Sequence, residues 1–343
     1  MKFAIVFATC LTVLLPVTFA RSQTQPIAAV NIIFDTDMGN DVDDALALAM
    51  LHAFQSRHEV NLLAVTITKD NKWAAPYVDL VDTFYGRPQI PIGMVRKGKT
   101  LESNPMIQVP SERRRQDGAL VYPRRIMDSA EAPDAVSLLR QSLAAQADGS
   151  VVIVQVGFST NLARLLDTKP DAASPQNGRA LVSRKVRLLS MMAGNFADGQ
   201  SEFNLAQDIP SAVKLFQEWP TPIVVSGFEI GDAMPFPASR IEHDFAYVQD
   251  HPVADAYRAY MRMPYDRPTW DLTAVLYAVR PDDGYFSLSE PGVITVLPDG
   301  SSRFDLSAGG NRRYLVLTAE QRTRTLEAMI LLASQPPAGG TGR

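Results

Sequence analysis

The chain has 343 residues, 46% of them hydrophobic, with 33 Lys+Arg against 37 Asp+Glu. That length and mixture supply a large core and exclude wholesale disorder, while a formal charge of −4 excludes a nucleic-acid binder held by bulk electrostatics. A single cysteine, Cys10, excludes a disulfide scaffold and a cysteine zinc site.

Residues 1–20 read as a secretory signal. Lys2 precedes an apolar run from Phe3 to Phe19, and Thr18-Phe19-Ala20 offers a cut after Ala20. The competing reading is an uncleaved anchor, against which Pro16 and the polar stretch Arg21 to Gln25 weigh. No later stretch reaches the about 18 uninterrupted apolar residues of a spanning helix. The expected product is exported, periplasmic or secreted, with no stable membrane insertion after cleavage.

Apolar runs then alternate with helical patterns. Ala28 to Phe34 is a buried strand candidate, Asp44 to Phe54 an Ala/Leu-rich helix, and Asn61 to Ile67 a second strand. Trp73, Tyr77, Leu80, Val81 and Phe84 fall on one helical face, and a short strand follows at Ile90 to Gly93. From Arg96 to Arg125, eight Lys/Arg and three Asp/Glu show no clear period. This run reads as a solvated surface loop, with a mobile flap beside the active site as the functional alternative.

Pro133 to Gln146 is helical, Val151 to Val156 is a nearly all-β-branched strand, and Thr160 to Leu166 opens another helix. Val186 to Met192 and Pro222 to Ser226 are further short strands. Gly292 to Leu297 and Ser302 to Leu306, joined through Pro298-Asp299-Gly300, read as a hairpin, and Arg313 to Leu317 as one more strand. Thr318 begins a last helix with the capping-box pattern Thr318-Ala-Glu-Gln321. The expected fold is α/β: a mostly parallel, Rossmann-like central sheet flanked by helices, with a small C-terminal β-hairpin elaboration. It forms one domain over residues 27–334, followed by a disordered Pro/Gly-rich tail over 335–343.

The first strand runs into Asp35-Thr-Asp37-Met-Gly39-Asn-Asp41-Val-Asp43-Asp44-Ala, five carboxylates within ten residues. Like charges this close raise one another's pKa unless a cation neutralises them. A helix N-terminus can stabilise Asp43 and Asp44 but not all five. Hard oxygen donors around a tight glycine turn point to Ca²⁺ or Mg²⁺, and the spacing does not fit an EF-hand.

The run Asp35-Thr-Asp37-x-Gly39 followed by Asp43-Asp44-Ala-x-Ala resembles the signature of the inosine–uridine-preferring nucleoside hydrolases. The resemblance continues, in family order, through Leu62 to Asn71, Val154 to Asn161, Met191-Met-Ala-Gly-Asn195, Glu202-Phe-Asn204 and Asp271 at a late helix start. It implies calcium-dependent hydrolysis of the N-glycosidic bond of ribonucleosides to free base and ribose. Asp37 is similar to the acid that both binds Ca²⁺ and takes the proton from the attacking water. Asp44, Asp271 and the Val156 carbonyl resemble the other calcium ligands, and Asp43 the carboxylate that grips ribose hydroxyls. Asn71, Asn195, Glu202 and Asn204 match sugar-binding groups, while Asp35 and Asp41 back the acidic loop from outside the ligand set.

Two departures stand out. The family usually has two residues fewer between Gly39 and the Asp-Asp pair, so Asp41 competes with Asp43 and Asp44 for their positions. The histidine that commonly precedes the late Asp, as proton donor to the leaving base, is Trp270 here. Trp270 is either a base-stacking ring or a packing residue at the helix start. The four histidines lie at no matching position, and those in or after a helix are expected at the surface.

Two other classes compete. Asp-x-Asp at a strand end also opens haloacid-dehalogenase-like phosphohydrolases, but those usually place Thr or Val where Gly39 stands. A non-catalytic periplasmic nucleoside- or sugar-binding protein would use calcium structurally. An exposed sheet edge in a chain this size is compatible with a homo-oligomer.

Overall fold

The computed structural model describes residues 28–338 together with Met1 and Ala4. The signal segment, those two residues apart, lies outside the described residues, as do residues 339–343 of the tail. Among the described residues no helix is long and apolar enough to cross a membrane.

Ten strands form the sheet: β1 (Val30–Thr36), β2 (Val60–Lys69), β3 (Ile92–Lys99), β4 (Val151–Gln155), β5 (Val186–Met192), β6 (Ile223–Ser226), β7 (Ser287–Leu288), β8 (Gly292–Val296), β9 (Ser302–Leu306) and β10 (Arg312–Val316). Their order is β3-β2-β1-β4-β5-β6-β10-β8-β9, with β7 paired to β10. Strands β1 to β6 and β10 run parallel, and β7, β8 and β9 pair antiparallel at the C-terminal end. The architecture is the expected mostly parallel sheet with a C-terminal hairpin.

The chain builds outward from β1 through β2 to β3, then returns to place β4 on the other side of β1. In an open α/β sheet such a reversal leaves a crevice at the carboxyl ends of the two strands, where ligands bind. The central strands are buried along most of their length, which explains their near-continuous apolar runs. The helix Asp43–Ser56 is buried from Asp43 through Phe54. It packs against the helices Trp270–Val279 and Ala319–Ala333, so its Ala- and Leu-rich sequence carries no polar stripe. Thr318 caps the last helix with the full reciprocal box to Gln321.

Two expectations change. The basic run from Arg96 is a loop only in part: β3 extends to Lys99 and Pro105–Glu112 is a helix capped by Asn104, whereas residues 113–125 form mostly exposed turns with one isolated bridge, Arg114 to Leu120. Met106, Ile107 and Pro110 are buried on the inner side of that helix, where it packs against the helix Pro252–Tyr260. Arg113 pairs with Asp250 at 2.8 Å and with Asp255, and Arg125 grips Asp79 at 2.7 Å. Charge density hid a short apolar face. His52 is fully buried rather than at the surface, its Nε2 2.8 Å from Asp82 Oδ1.

Candidate active site

The turn after β1 meets the exit of β4 at the crevice. A Cβ on Gly157 would lie 2.5 Å from the Asp37 nitrogen and 2.5 Å from Thr68 Oγ1, so only glycine lets the two loops approach this closely. Gly39 has φ +110°, a conformation that L side chains rarely adopt, and turns the chain back toward the helix start. Between these loops and the helix Trp270–Val279 lies a cavity of about 290 Å³. Asp37, Asn40, Asp41, Asp43, Asp44, Val156, Glu202, Asn204, Arg267, Trp270 and Asp271 are among its lining residues.

Asp43, Asp44 and Asp271 are all buried, and each can present an oxygen within 4.8 Å of the others. They meet because two helix N-termini converge: Asp43 and Asp44 occupy the first turn of one helix and Asp271 that of another. Asp43 Oδ2 accepts from the Asp271 nitrogen at 3.0 Å, and Asp44 Oδ1 accepts from Thr36 Oγ1. Burial, and then repulsion among the carboxylates, holds all three well above the usual carboxylate range. Helix dipoles offset only part of this cost. Asp44 Oδ2 is buried without a hydrogen-bond partner among the described residues. Clustered hard oxygen donors with an unpaired buried oxygen fit a metal cation.

Asp37 lines the same cavity, and its Oδ2 accepts from Asn40 Nδ2 at 2.8 Å. Burial pushes its carboxyl up to about 7, opposed by that hydrogen bond. Asp35 sits behind the turn, where Oδ1 accepts from Thr66 Oγ1 at 2.6 Å and Asn161 Nδ2 at 2.9 Å. Burial raises Asp35 to about 7 as well. Asp41 stands apart from the carboxylate triad: Arg267 grips it with two donors, Nε to Oδ1 at 2.9 Å and Nη2 to Oδ2. The same guanidinium lies 5.1 Å from the Trp270 ring and 5.3 Å from that of Tyr260.

Glu202 caps the short helix Phe203–Gln207. Its carboxylate accepts from the backbone nitrogens of Asn204 at 2.8 Å and of Leu205 and Gly194 at 3.1 Å, although burial still lifts it to about 7. Glu202→Gln turns an amide donor toward these donors, so a loss of about 1–3 kcal/mol in unfolding free energy is expected by urea titration. A variant as stable as the parent would show the cap to be dispensable. Asn204 Nδ2 donates to the Val156 carbonyl at 2.9 Å, leaving that oxygen a second lone pair.

Asn71 and Asn195 are buried but do not line the cavity. Asn71 donates to the Leu101 carbonyl at 2.8 Å and accepts from the Trp73 nitrogen at 2.9 Å. Asn195 Oδ1 accepts from the nitrogens of Ala197 and Asp198 at 3.2 and 3.4 Å, folding its own turn. Trp270 is half-buried, donates from Nε1 to the Phe228 carbonyl at 3.0 Å, and rests 5.3 Å from the Phe228 ring. The sequence assigns no role to Arg267, Tyr260 or Phe228, and Asn40 reads there only as part of the insertion after Gly39. The first three carry no local motif, whereas Asn40 lay in plain view inside the acidic turn.

Comparison with known proteins follows the same outline. A family model described as inosine-uridine preferring nucleoside hydrolase matches residues 32–332. The fold is similar to that of an inosine-uridine preferring nucleoside hydrolase from Bacillus anthracis, at 15% identity and a TM-score of 0.64, over 89% of this chain and 99% of that one. It is also similar to a purine-preferring ribonucleoside hydrolase from Gardnerella vaginalis, at 18% identity and a TM-score of 0.65, over 89% and 98% of the two chains. A plant nucleoside hydrolase matches at 19% identity and a TM-score of 0.65, over 90% and 99%. No curated protein matches significantly.

Proposed function

The chain belongs to the inosine-uridine preferring nucleoside hydrolase family, and on that premise we propose that it cleaves the N-glycosidic bond of ribonucleosides with calcium bound and Asp37 as general base. As a ribonucleoside hydrolase it yields free base and ribose. The observation that carries the finer reading is the meeting of Asp37 with the Asp43, Asp44 and Asp271 cluster in one cavity at the sheet's carboxyl edge.

Asp37, Asp44, Asp271 and the Val156 carbonyl would hold Ca²⁺, with Asp43 beside them. Bound there, the ion supplies positive charge that anchors sugar hydroxyls and acidifies water. Asp37 accepts the proton of the attacking water, and the fixed sugar makes that attack effectively intramolecular. Asp43 takes ribose hydroxyls, with Glu202 and Asn204 lining the wall beside it. Positive charge developing on the ribose ring is stabilised by this carboxylate-rich, desolvated pocket. Asn71 and Asn195 shape the surrounding loops through the backbone contacts given above, and they reach the sugar only if those contacts are exchanged. The protein is exported to a periplasm or secreted, and it works on small nucleosides without nucleic-acid partners.

Release of free base from inosine or uridine, followed by chromatography, is the direct test. Tight nucleoside binding without any release would return the chain to the binding-protein reading. Trp270 adds a sharper expectation. If its ring stacks on the base, Trp270→Ala weakens kcat/KM for inosine by about 1–3 kcal/mol. The loss on a nitrophenyl riboside, whose leaving group needs less help, should be smaller. Equal losses on both, with a lowered melting temperature, would make Trp270 a packing residue.

A further inference from the structure

Two side chains outside the ligand set form a chain that ends on Asp37. Lys69 closes β2 with only 1% of its surface exposed. Its ammonium donates to Asn40 Oδ1 at 2.9 Å and to the Thr100 carbonyl at 2.7 Å. Asn40 Nδ2 donates in turn to Asp37 Oδ2 at 2.8 Å and more weakly to Thr100 Oγ1 at 3.3 Å. The backbone closes the same turn, the Asn40 nitrogen donating to the Asp37 carbonyl at 3.1 Å.

An amide caught between an ammonium and a carboxylate has one orientation that satisfies both, oxygen toward the lysine and nitrogen toward the acid. The buried positive charge polarises the amide and strengthens its donation to Asp37. The last torsion of an aspartate is otherwise broad and twofold, so an untethered carboxylate would exchange its two oxygens freely. Holding Oδ2 removes that freedom and leaves Oδ1 free of side-chain donors, since no other side chain among the described residues donates to Asp37. Lysine is a costly choice for a buried site unless its donors are used. Here one of them holds Asn40 in the turn that carries Asp37, and a second ties the Thr100 carbonyl just beyond β3.

We infer that Lys69 and Asn40 are positioning residues, a relay in which Lys69 orients the Asn40 amide and the amide locks the Asp37 carboxylate for proton transfer. The inference rests on the reading of Asp37 as the base. Lys69 is not among the cavity's lining residues, and the Asn40 amide that faces it is already engaged at both ends by Lys69 and Asp37, so the relay acts on kcat more than on KM.

The test is a double-mutant cycle in the full chain with inosine and uridine, measuring kcat and KM for the parent, Asn40→Ala, Lys69→Met and the double variant. Each single change should lower kcat by roughly ten- to a hundredfold, the cost of slight misplacement of a reacting group, with little change in KM. The double variant should lose no more than the worse single one, because both changes break the same chain. Losses that multiply in the double variant, a loss confined to KM, or an unchanged kcat in Asn40→Ala would each overturn the relay.

Lys69→Met strands the Thr100 carbonyl, so its folding is checked first by circular dichroism. Where it fails to fold, Asn40→Asp carries the question, since it keeps a partner for Lys69 but offers no N–H to Asp37. Its kcat should fall at least as far as that of Asn40→Ala, and a parental kcat would overturn the relay. A rise in melting temperature on adding Ca²⁺ should persist in Asn40→Ala, because Asp44, Asp271 and the Val156 carbonyl are untouched and only the orientation of Asp37 is freed. Loss of that rise would make Asn40 a support of the metal site and overturn the relay. An Asp37→Asn arm separates the two levels. If that variant turns over normally, the base assignment fails and the relay with it; if it is inactive while Asn40→Ala is not, the relay alone fails.

Discussion

Asp37→Asn is expected to lower nucleoside turnover by ~10²–10⁴-fold, the usual loss when a positioned base is removed, and to leave the fold intact. The amide keeps the shape of the side chain and still offers an oxygen to Asn40 Nδ2, which sits 2.8 Å from the carboxylate. It cannot accept the proton of water, and it removes one charge from the cavity. Burial holds the Asp37 carboxyl near 7, so ionising it above that value is a cost to the folded state that the amide avoids. The melting temperature of the metal-free variant should therefore equal or exceed that of the metal-free parent at neutral pH. Circular dichroism and a base-release assay on the same preparation check both halves. A folded variant that still binds calcium and turns over normally would take the base role away from Asp37.

Calcium removal should have the second large effect. Chelation is expected to abolish turnover and lower the melting temperature, and added Ca²⁺ should restore both. Binding to the native state alone stabilises by about 2.7 kcal/mol at a hundredfold excess over Kd. The dependence on pH has a definite sign. Asp43, Asp44 and Asp271 are raised well above their ordinary 3.8 by burial and then by repulsion from neighbouring carboxylates, Asp37 and Asp41 included. A carboxyl raised in the folded state contributes stability that is complete below its unfolded pKa and is lost as pH rises through its folded value. Metal-free protein should therefore lose stability as pH climbs from about 4 toward neutrality and beyond, as the linkage requires. The calcium-induced rise should grow over the same range, because the ligands must shed protons to bind. Melting curves at pH 5 and pH 8, with and without Ca²⁺, measure it directly. A rise that is larger at pH 5, or full activity in thoroughly chelated protein, would remove the cation from this cluster.

Much of the molecule was legible in one dimension because the signals are local. A strand buried on both faces must be apolar along its length, which marked β1, β4 and β5 to within a residue or two. The Thr318 box advertises a helix start through residues only three apart. The acidic turn announced itself because so many like charges on a short loop have few physical excuses. Where charge masked a short apolar face, as at Met106 and Ile107, the same logic missed a helix.

Tertiary structure alone decided which side chains meet. Asp271 reaches Asp43 across 228 positions and Arg267 reaches Asp41 across 226, and no periodicity links either pair. The reversal of strand order at β1 brings the late helix start over the early turn. It also gives Asp41 a guanidinium partner, an assignment that spacing within the turn left open. Asn71 and Asn195 likewise carry the polar chemistry of sugar ligands, yet the folded chain turns both amides toward neighbouring backbone. Residue type and local pattern specify what a side chain can do and whether it is buried. Its partner depends on how distant segments stack, and in this chain that is set by the topology of the sheet.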